Sequence, residues 1–280
     1  MFSCLDAVSR TLLLPLYFRA EECDAPSPIV HDPMAKELVK KIPYDFNVLK
    51  KHTLMKTATL MRVAAVDRMV DHFLKRHPDA VVVNVGAGLD TRFFRMDTGR
   101  MDWYEMDLPE VMKIRRLFFG EDQRYHMVDA SLKDPDWHRQ ILCANRPLLI
   151  IVEGVLMYLE EACVRNFINQ ILRNFSSSFL IFDAVSPYQV IMSAFNPTLM
   201  LTGARFKWGM NAPDELESWR NDIRMHESHY YLGEMMPQMG WLNFLTLYPS
   251  VRFGFSAQSY MLGKPLTAEP DDEDRRGKNP

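Results

Sequence analysis

The stretch that decides the fold runs from Val81 to Arg92 and reads Val-Val-Val-Asn-Val-Gly-Ala-Gly-Leu-Asp-Thr-Arg. Its valine-rich first half is typical of a strand buried inside a parallel sheet. Gly86 and Gly88 then allow a tight turn in which a ligand can approach bare backbone. A second apolar segment ends at Asp107, nineteen residues after Gly88. Because an acidic residue about 20 positions beyond such a loop holds a ribose in open α/β sheets, the spacing predicts a nucleoside-bearing cofactor.

Composition and charge limit the classes of protein to consider. The chain has 280 residues, 48% of them apolar and 25% charged, and a formal net charge of -3. These values are typical of a globular protein with a large core, and they favour neither nucleic acid nor an anionic membrane as a partner. The apolar run from Leu12 to Leu16 is broken by Pro15, so we predict no signal sequence and no membrane-spanning helix.

Cysteines and histidines give little sign of a metal centre. The four cysteines are scattered without a CxxC pair, which favours free thiols in a reducing cytoplasm. His226 and His229 are spaced like neighbours on one helical turn, but no cysteine or carboxylate cluster completes a metal shell. We therefore expect no metal and interpret the histidine pair as part of a solvated helix face.

The chain divides into a helical region, a cofactor-binding domain and a tail. Residues 1–78 are predicted to form a helical N-terminal cap that includes one long amphipathic helix ending before Pro78. Residues 79–263 form the predicted cofactor-binding domain, in which an insertion at 186–240, with several short helical segments, covers the substrate site. The acidic, proline-containing tail at 264–280 is predicted to be disordered.

From residue 81 onward, predicted strands alternate with helices. The strand candidates are 81–85, 103–107, 124–128, 148–152 and 178–183. This rhythm predicts an α/β fold with a mostly parallel sheet and helices on both faces. Two last strands, near 241–248 and 253–262, are expected to pair as an antiparallel hairpin at the sheet edge.

Residues at the predicted strand ends narrow the choice of cofactor. A dinucleotide site would place a third glycine where the chain has Thr91, and no GKS or GKT sequence marks a P-loop. S-adenosylmethionine fits, because it carries a ribose and an adenine but no phosphate. Asp129 and Glu153 end the third and fourth strands, where residues line the ligand crevice of an open sheet. Glu153 follows five apolar residues and needs a cationic partner, which the cofactor's ammonium group would supply.

Three motifs resemble those of the leucine carboxyl methyltransferase family, and most closely its bacterial tetracenomycin-type polyketide O-methyltransferase branch. They lie at 84–92, 103–110 and 153–159, and the resemblance extends to 31–35, to 206–209 and to nearly the whole chain up to about residue 262. The resemblance implies a class I, Rossmann-like methyltransferase fold. Its seven-stranded sheet would be mostly parallel with an antiparallel last strand.

The family resemblance also implies a binding site for S-adenosylmethionine. The residues expected to bind it are Arg62, Gly86, Ala87, Gly88, Asp107, Leu108, Asp129, Ala130, Ser131 and Glu153. Asp107 would bind the ribose hydroxyls, and residues 129–131 would frame the adenine. Glu153 and Arg62 would hold the ammonium and carboxylate groups of the methionine part, and a guanidinium suits that carboxylate because it can form a bidentate fork.

The expected reaction is O-methylation of a small-molecule or polyketide-like acceptor. A carboxylate acceptor is already ionised at neutral pH and needs no general base, whereas a phenol would benefit from one. No residue stands out as that base among the candidates, which are His126, His226, His229 and Tyr158. We therefore assign Glu153 and Tyr158 positioning roles in catalysis. A protein C-terminal carboxylate is an alternative acceptor, and an NAD-dependent oxidoreductase and a cofactor-binding protein without turnover are alternatives of other classes.

Overall fold

The sheet that carries the glycine loop contains seven strands. The structure is a computed structural model that describes residues 12–49, 53–195, 199, 203–231 and 253–264. Its strands are β1 (Val81–Val85), β2 (Asp102–Asp107), β3 (Tyr125–Asp129), β4 (Leu148–Val152), β5 (Ser177–Val185), β6 (Ile223–His229) and β7 (Phe255–Gly263). In these described residues the strand order is β3-β2-β1-β4-β5-β7-β6, and β1 and β4 at the centre are fully buried.

Strand directions confirm the mostly parallel sheet. The pairs β1–β2, β1–β4, β2–β3 and β4–β5 are parallel, whereas β7 runs antiparallel to both β5 and β6. The carboxyl ends of β1 to β5 therefore meet at one edge of the sheet, which is where a ligand crevice forms in this architecture.

The predicted edge hairpin is partly wrong. β7 matches the second predicted strand, but it lies between β5 and β6 and not at the edge. Its antiparallel partner is β6, within the predicted insertion at 186–240, while the predicted strand at 241–248 lies outside the described residues. The edge strand β6 is hard to detect in the sequence because most of its residues are polar and only Ile223 is buried, so it lacks an alternating apolar pattern.

Helices cover both faces of the sheet. They are α1 (Leu13–Glu22), α2 (Pro33–Lys41), α3 (Thr53–Arg76), α4 (Arg92–Met96), α5 (Pro109–Arg115), α6 (Glu161–Asn174) and α7 (Pro187–Ser193). The helix predicted to end before Pro78 is α3, which ends at Arg76. Short 3-10 helices lie at Phe46–Leu49, Trp137–Gln140, Leu156–Tyr158 and Glu215–Ser218.

Two apolar layers enclose the sheet. One layer packs α1, α2 and α3 against side chains such as Val82 and Leu149, and the other packs α6 against side chains such as Val83 and Ile150. The two layers use alternate residues of the same strands, as expected when successive side chains point to opposite faces. The α3 helix is thereby fixed across the face of the sheet.

The described part of the segment 186–240 is mixed in structure. It contains α7, the 3-10 helix at Glu215–Ser218 and the strand β6. His226 and His229 lie on β6, so the interpretation of this pair as a solvated helix face is wrong. No group of three histidine, cysteine or carboxylate side chains suited to a metal ion occurs in the described residues.

None of the helices in the described ranges is both long and apolar enough to cross a membrane. The predicted tail at 264–280 lies, apart from Lys264, outside the described residues.

Candidate functional site

The turn after β1 requires its first glycine for steric reasons. Gly86 has a positive φ of 72°, and a Cβ atom there would lie 2.3 Å from Cγ2 of Val155. The backbone N–H of Gly86 donates to the carbonyl of Met106 at 2.8 Å, which joins the loop to the end of β2. Gly88 also has a positive φ, of 49°, a conformation that side-chain-bearing residues rarely adopt. The two glycines thus keep the strand-to-loop turn narrow.

Asp107 ties this loop to the end of β2. Its Oδ2 accepts the backbone N–H of Gly88 at 2.8 Å, and its Oδ1 accepts that of Leu108 at 2.7 Å. Burial raises the pKa of Asp107 to about 6, although both of these hydrogen bonds lower it. The side chain is half-buried, and each carboxylate oxygen keeps a second acceptor position. The acidic residue predicted from the spacing therefore lies directly against the glycine loop.

A buried arginine that was not predicted from the sequence holds the loop through its backbone carbonyl groups. Arg115 donates to the carbonyl oxygens of Gly88 at 2.9 Å and Asp90 at 2.7 Å, and its guanidinium also pairs with Glu105 at 2.6 Å. Both charged side chains are fully buried. Burial raises the pKa of Glu105 to about 7, although Arg115 opposes this shift. The sequence signal was Glu105 itself, a charge inside an apolar strand that needs a buried cation.

Glu153, Arg62 and Asp183 meet at the ends of β4 and β5. Nε of Arg62 donates to Oε1 of Glu153 at 3.0 Å, and Nη1 lies 3.5 Å from Oδ2 of Asp183. Asp183 accepts the backbone N–H of Gly154 at 2.6 Å. Gly154 has a positive φ of 71°, and a Cβ there would lie 3.5 Å from Nη2 of Arg62. Asp183 is not among the site residues predicted from the sequence; its signal is a carboxylate within the apolar run of β5.

Ionisation differs sharply between the two carboxylates. Burial raises the pKa of Asp183 to about 6 in spite of Arg62. Burial acts in the same direction on Glu153, but Arg92 and Arg62 outweigh it and hold the pKa of Glu153 below its usual range. Glu153 therefore has two cationic partners within the chain, and its burial alone no longer requires a cationic ligand.

The predicted adenine-framing residues lie at the end of β3. Asp107 and Asp129 are opposite each other in the β2–β3 register, and the N–H of Ala130 donates to the carbonyl of Asp107 at 3.1 Å. Asp129 is exposed and pairs with Arg116 at 2.6 Å. The hydroxyl of Ser131 accepts the N–H of Lys133 at 3.2 Å. The fold thus brings residues 129–131 next to Asp107.

Tyr158 is half-buried in the 3-10 helix that follows Glu153. Its ring contacts that of Phe206 edge-on, with 5.3 Å between centroids. Burial raises the pKa of Tyr158 to about 12, so the hydroxyl stays protonated at neutral pH. The His126 ring is tilted against that of Tyr104, three residues before the end of β2, and His226 packs edge-on against Phe179, four residues before Asp183. Neither histidine therefore lies at the strand ends where the ligand crevice is expected.

The sheet order with only β7 reversed, and a glycine loop after β1, defines the fold of the class I methyltransferases. Residues 13–172 match the family model "Leucine carboxyl methyltransferase", and the chain belongs to this family. The predicted fold, family and S-adenosylmethionine-dependent methyltransferase class are thereby confirmed.

Relatives with long alignments support this assignment. The chain is 32% identical to the tetracenomycin polyketide synthesis O-methyltransferase TcmP of Streptomyces glaucescens, over 91% of this chain and 97% of the relative. It is 27% identical to the S-adenosyl-L-methionine-dependent methyltransferase dpfgK of Gibberella zeae, over 85% and 88% of the two chains. A solved duf574 family protein from Streptomyces avermitilis has a similar fold, with a TM-score of 0.55, 13% identity and coverage of 91% of this chain and 97% of that chain.

Proposed function

We propose that this protein transfers a methyl group from S-adenosylmethionine to an oxygen atom of a small organic acceptor, preferably a carboxylate. The observation that carries the proposal is the alignment with an O-methyltransferase of polyketide synthesis over 97% of that relative's length. The name of the matching family, which refers to carboxyl methylation, favours a carboxylate over a phenol.

Asp107 and its neighbours suit the nucleoside part of the cofactor. The free acceptor positions on the Asp107 oxygens can accept hydrogen bonds from two ribose hydroxyls, while the backbone of Gly86, Ala87 and Gly88 passes underneath. Leu108 offers an apolar contact beside the ribose. Asp129, Ala130 and Ser131 would frame the adenine, because β3 ends beside Asp107. All of these groups lie where ligands bind in an open α/β sheet.

Arg62 and Glu153 suit the methionine part. Nε and Nη1 of Arg62 face Glu153 and Asp183, whereas Nη2 has no acceptor among the described residues. We assign that remaining donor to the cofactor's carboxylate, and Glu153 to its ammonium group. The pairing is favourable because charge-assisted hydrogen bonds are about twice as strong as neutral ones.

Catalysis would depend mainly on alignment. S-adenosylmethionine, held by Arg62, Asp107 and Glu153, would supply an activated methyl group to an acceptor oxygen, with its sulfur as the leaving group. Holding the acceptor in line and excluding water can account for much of the rate. Tyr158, protonated at neutral pH, would donate a hydrogen bond to position the acceptor and would not act as a base.

The acceptor pocket is proposed to lie between the helical residues before 78 and the segment 186–240. Helix α3 already brings Arg62 to the ends of β4 and β5, and Phe206 contacts Tyr158.

Three described cysteines, Cys23, Cys143 and Cys163, are free thiols, which suits the reducing cytoplasm as the place of action.

The alternatives to this function differ from it in the class of acceptor or in whether the protein transfers a methyl group at all. A peptide C-terminal carboxylate remains the runner-up acceptor, again because of the family's name. A protein that binds the cofactor without turnover would transfer no methyl group to any acceptor. The oxidoreductase alternative is not retained, because the chain belongs to a methyltransferase family.

The test is transfer of a labelled methyl group from S-adenosylmethionine to a panel of aromatic acids, phenols and peptides with a free C-terminus. We expect label on an aromatic or polyketide-like acid, and mild base should release it as methanol, because a methyl ester is labile whereas a phenol ether is stable. Label that survives the base would show that the acceptor is a hydroxyl group and not a carboxylate. Transfer to peptides alone would favour the runner-up, and no transfer would contradict the proposal.

A further inference from the structure

Arg92 joins three elements at the proposed cofactor site. Its Nε donates to Asp67 of α3 at 2.6 Å, its Nη1 to Asp90 of the glycine loop at 2.7 Å, and its Nη2 to Glu153 at the end of β4 at 2.5 Å. The side chain is only 1% exposed. One guanidinium therefore connects a helix, the loop and a strand end that are distant in sequence.

The chemistry of arginine suits this position. A guanidinium stays charged in proteins and offers five N–H donors in a fixed plane, so its burial is tolerated only when carboxylates surround it. A lysine would bring the same charge as a single point on a flexible stem and could not reach all three carboxylates with the same geometry. The site therefore depends on the shape of the side chain as well as on its charge.

Glu153 is held from two sides as a result. Arg92 binds its Oε2, and Arg62 binds its Oε1 at 3.0 Å. These two contacts fix the plane of the carboxylate and, through it, the direction of the Arg62 guanidinium. We propose that Arg92 is a positioning residue, which orients Glu153 and Arg62 toward the methionine part of S-adenosylmethionine without touching the cofactor. This inference rests on the proposed function, which places both residues at the cofactor.

The neighbouring Arg95 provides a matched control. It belongs to the same helix and the same ionic network, and it pairs with Asp67 and Asp32, each at 3.0 Å. It forms no ion pair with Glu153 in the described structure. Loss of the Arg95 contacts would weaken the packing of α2 and α3 near the loop and leave the Arg92–Glu153 contact in place.

The experiment compares Arg92→Lys with Arg95→Lys by calorimetric titration with S-adenosylhomocysteine, and records the melting temperature of each variant. We expect Arg92→Lys to raise the dissociation constant about tenfold or more, since hydrogen bonds between charged groups are being lost, and Arg95→Lys to change it by less than about threefold. We expect both variants to lose thermal stability, since both arginines pair with Asp67. If Arg92 had a purely structural role, the loss of affinity for S-adenosylhomocysteine would follow the loss of melting temperature in both variants. A much larger loss of affinity in Arg92→Lys than in Arg95→Lys therefore indicates a positioning role.

Asp67→Asn keeps the test decisive if Arg92→Lys does not fold. It weakens the anchor on Nε of Arg92 without removing the arginine, and Asp71→Asn, one turn further along α3 at an exposed ion pair with Lys75, is its control. We expect weaker S-adenosylhomocysteine binding for Asp67→Asn alone, by several-fold.

The outcomes separate this inference from the proposed function. Wild-type affinity in Arg92→Lys, or in Asp67→Asn where that variant replaces it, would overturn the positioning role. Equal losses of affinity in Arg92→Lys and Arg95→Lys would overturn it as well. If the wild-type protein itself fails to bind S-adenosylhomocysteine, the proposed function fails first, and the inference fails with it.

Discussion

At the residue scale, Asp183 is a carboxylate whose ionisation conflicts with its surroundings. It is 1% exposed and shares the Arg62 guanidinium with Glu153. Two carboxylates beside one cation cannot both be stabilised fully, and the protonated form of Asp183 is the one that burial favours. The charge on Asp183 therefore costs stability at neutral pH.

Asp183→Asn should increase the stability of the free protein more at about pH 7.5 than at about pH 4.5. Because burial raises the pKa of Asp183 to about 6, the native state loses stability as the pH rises from the ordinary aspartate value through that pKa. At about 1.4 kcal/mol per pKa unit, the gain in unfolding free energy should be on the order of 2 kcal/mol larger at the higher pH. Denaturant unfolding at both pH values measures it.

Asp97→Asn is the control for this pH effect. Arg124 holds the pKa of Asp97 below its usual range, so its contribution to stability is lost only below both pH values used. We expect its effect on unfolding to be the same at the two pH values. An equal effect of Asp183→Asn at both would show that Asp183 has an ordinary pKa.

At the element scale, the geometry of the glycine loop tolerates little change at Gly86. It contacts Asp107 at the end of β2, Arg115 of α5 and Val155 beyond β4. The strand before it and the acidic residue after it are visible in the sequence, because apolar runs and fixed spacing are local signals. The arginines that hold the loop are not visible, because their partners come from elements far apart in the chain.

Gly86→Ala should destabilise the protein by about 2–4 kcal/mol, from a positive φ and a collision with Val155. In the double variant with Val155→Ala, the collision is relieved but the backbone strain remains, so part of the loss should return. Gly120→Ala is the control, since a Cβ there meets nothing within 4 Å. Thermal or denaturant unfolding measures all four proteins. No loss in Gly86→Ala would contradict the described loop geometry.

At the scale of the whole molecule, the sequence predicts the sheet and the family well and the edge of the sheet poorly. The five parallel strands are apolar and buried, so their pattern is strong, whereas β6 is polar and half-exposed and was assigned to a helical region. The partners Arg62 and Glu153 are 91 residues apart, and only the family resemblance suggested that both serve one ligand. The roles of Asp183 and Arg92 could not be predicted in this way, because they depend on contacts that form only in the folded chain.

The central claim is that the loop after β1 and Asp107 bind the nucleoside of S-adenosylmethionine. Calorimetric titration with S-adenosylhomocysteine tests it in wild type, in Asp107→Asn and in Asp97→Asn, with melting temperatures to confirm folding. We predict saturable binding to wild type and to Asp97→Asn, and binding at least about tenfold weaker to Asp107→Asn, because its ribose hydrogen bonds lose their charged acceptor. Absence of binding to folded wild type, or equal affinity in Asp107→Asn, would contradict the claim.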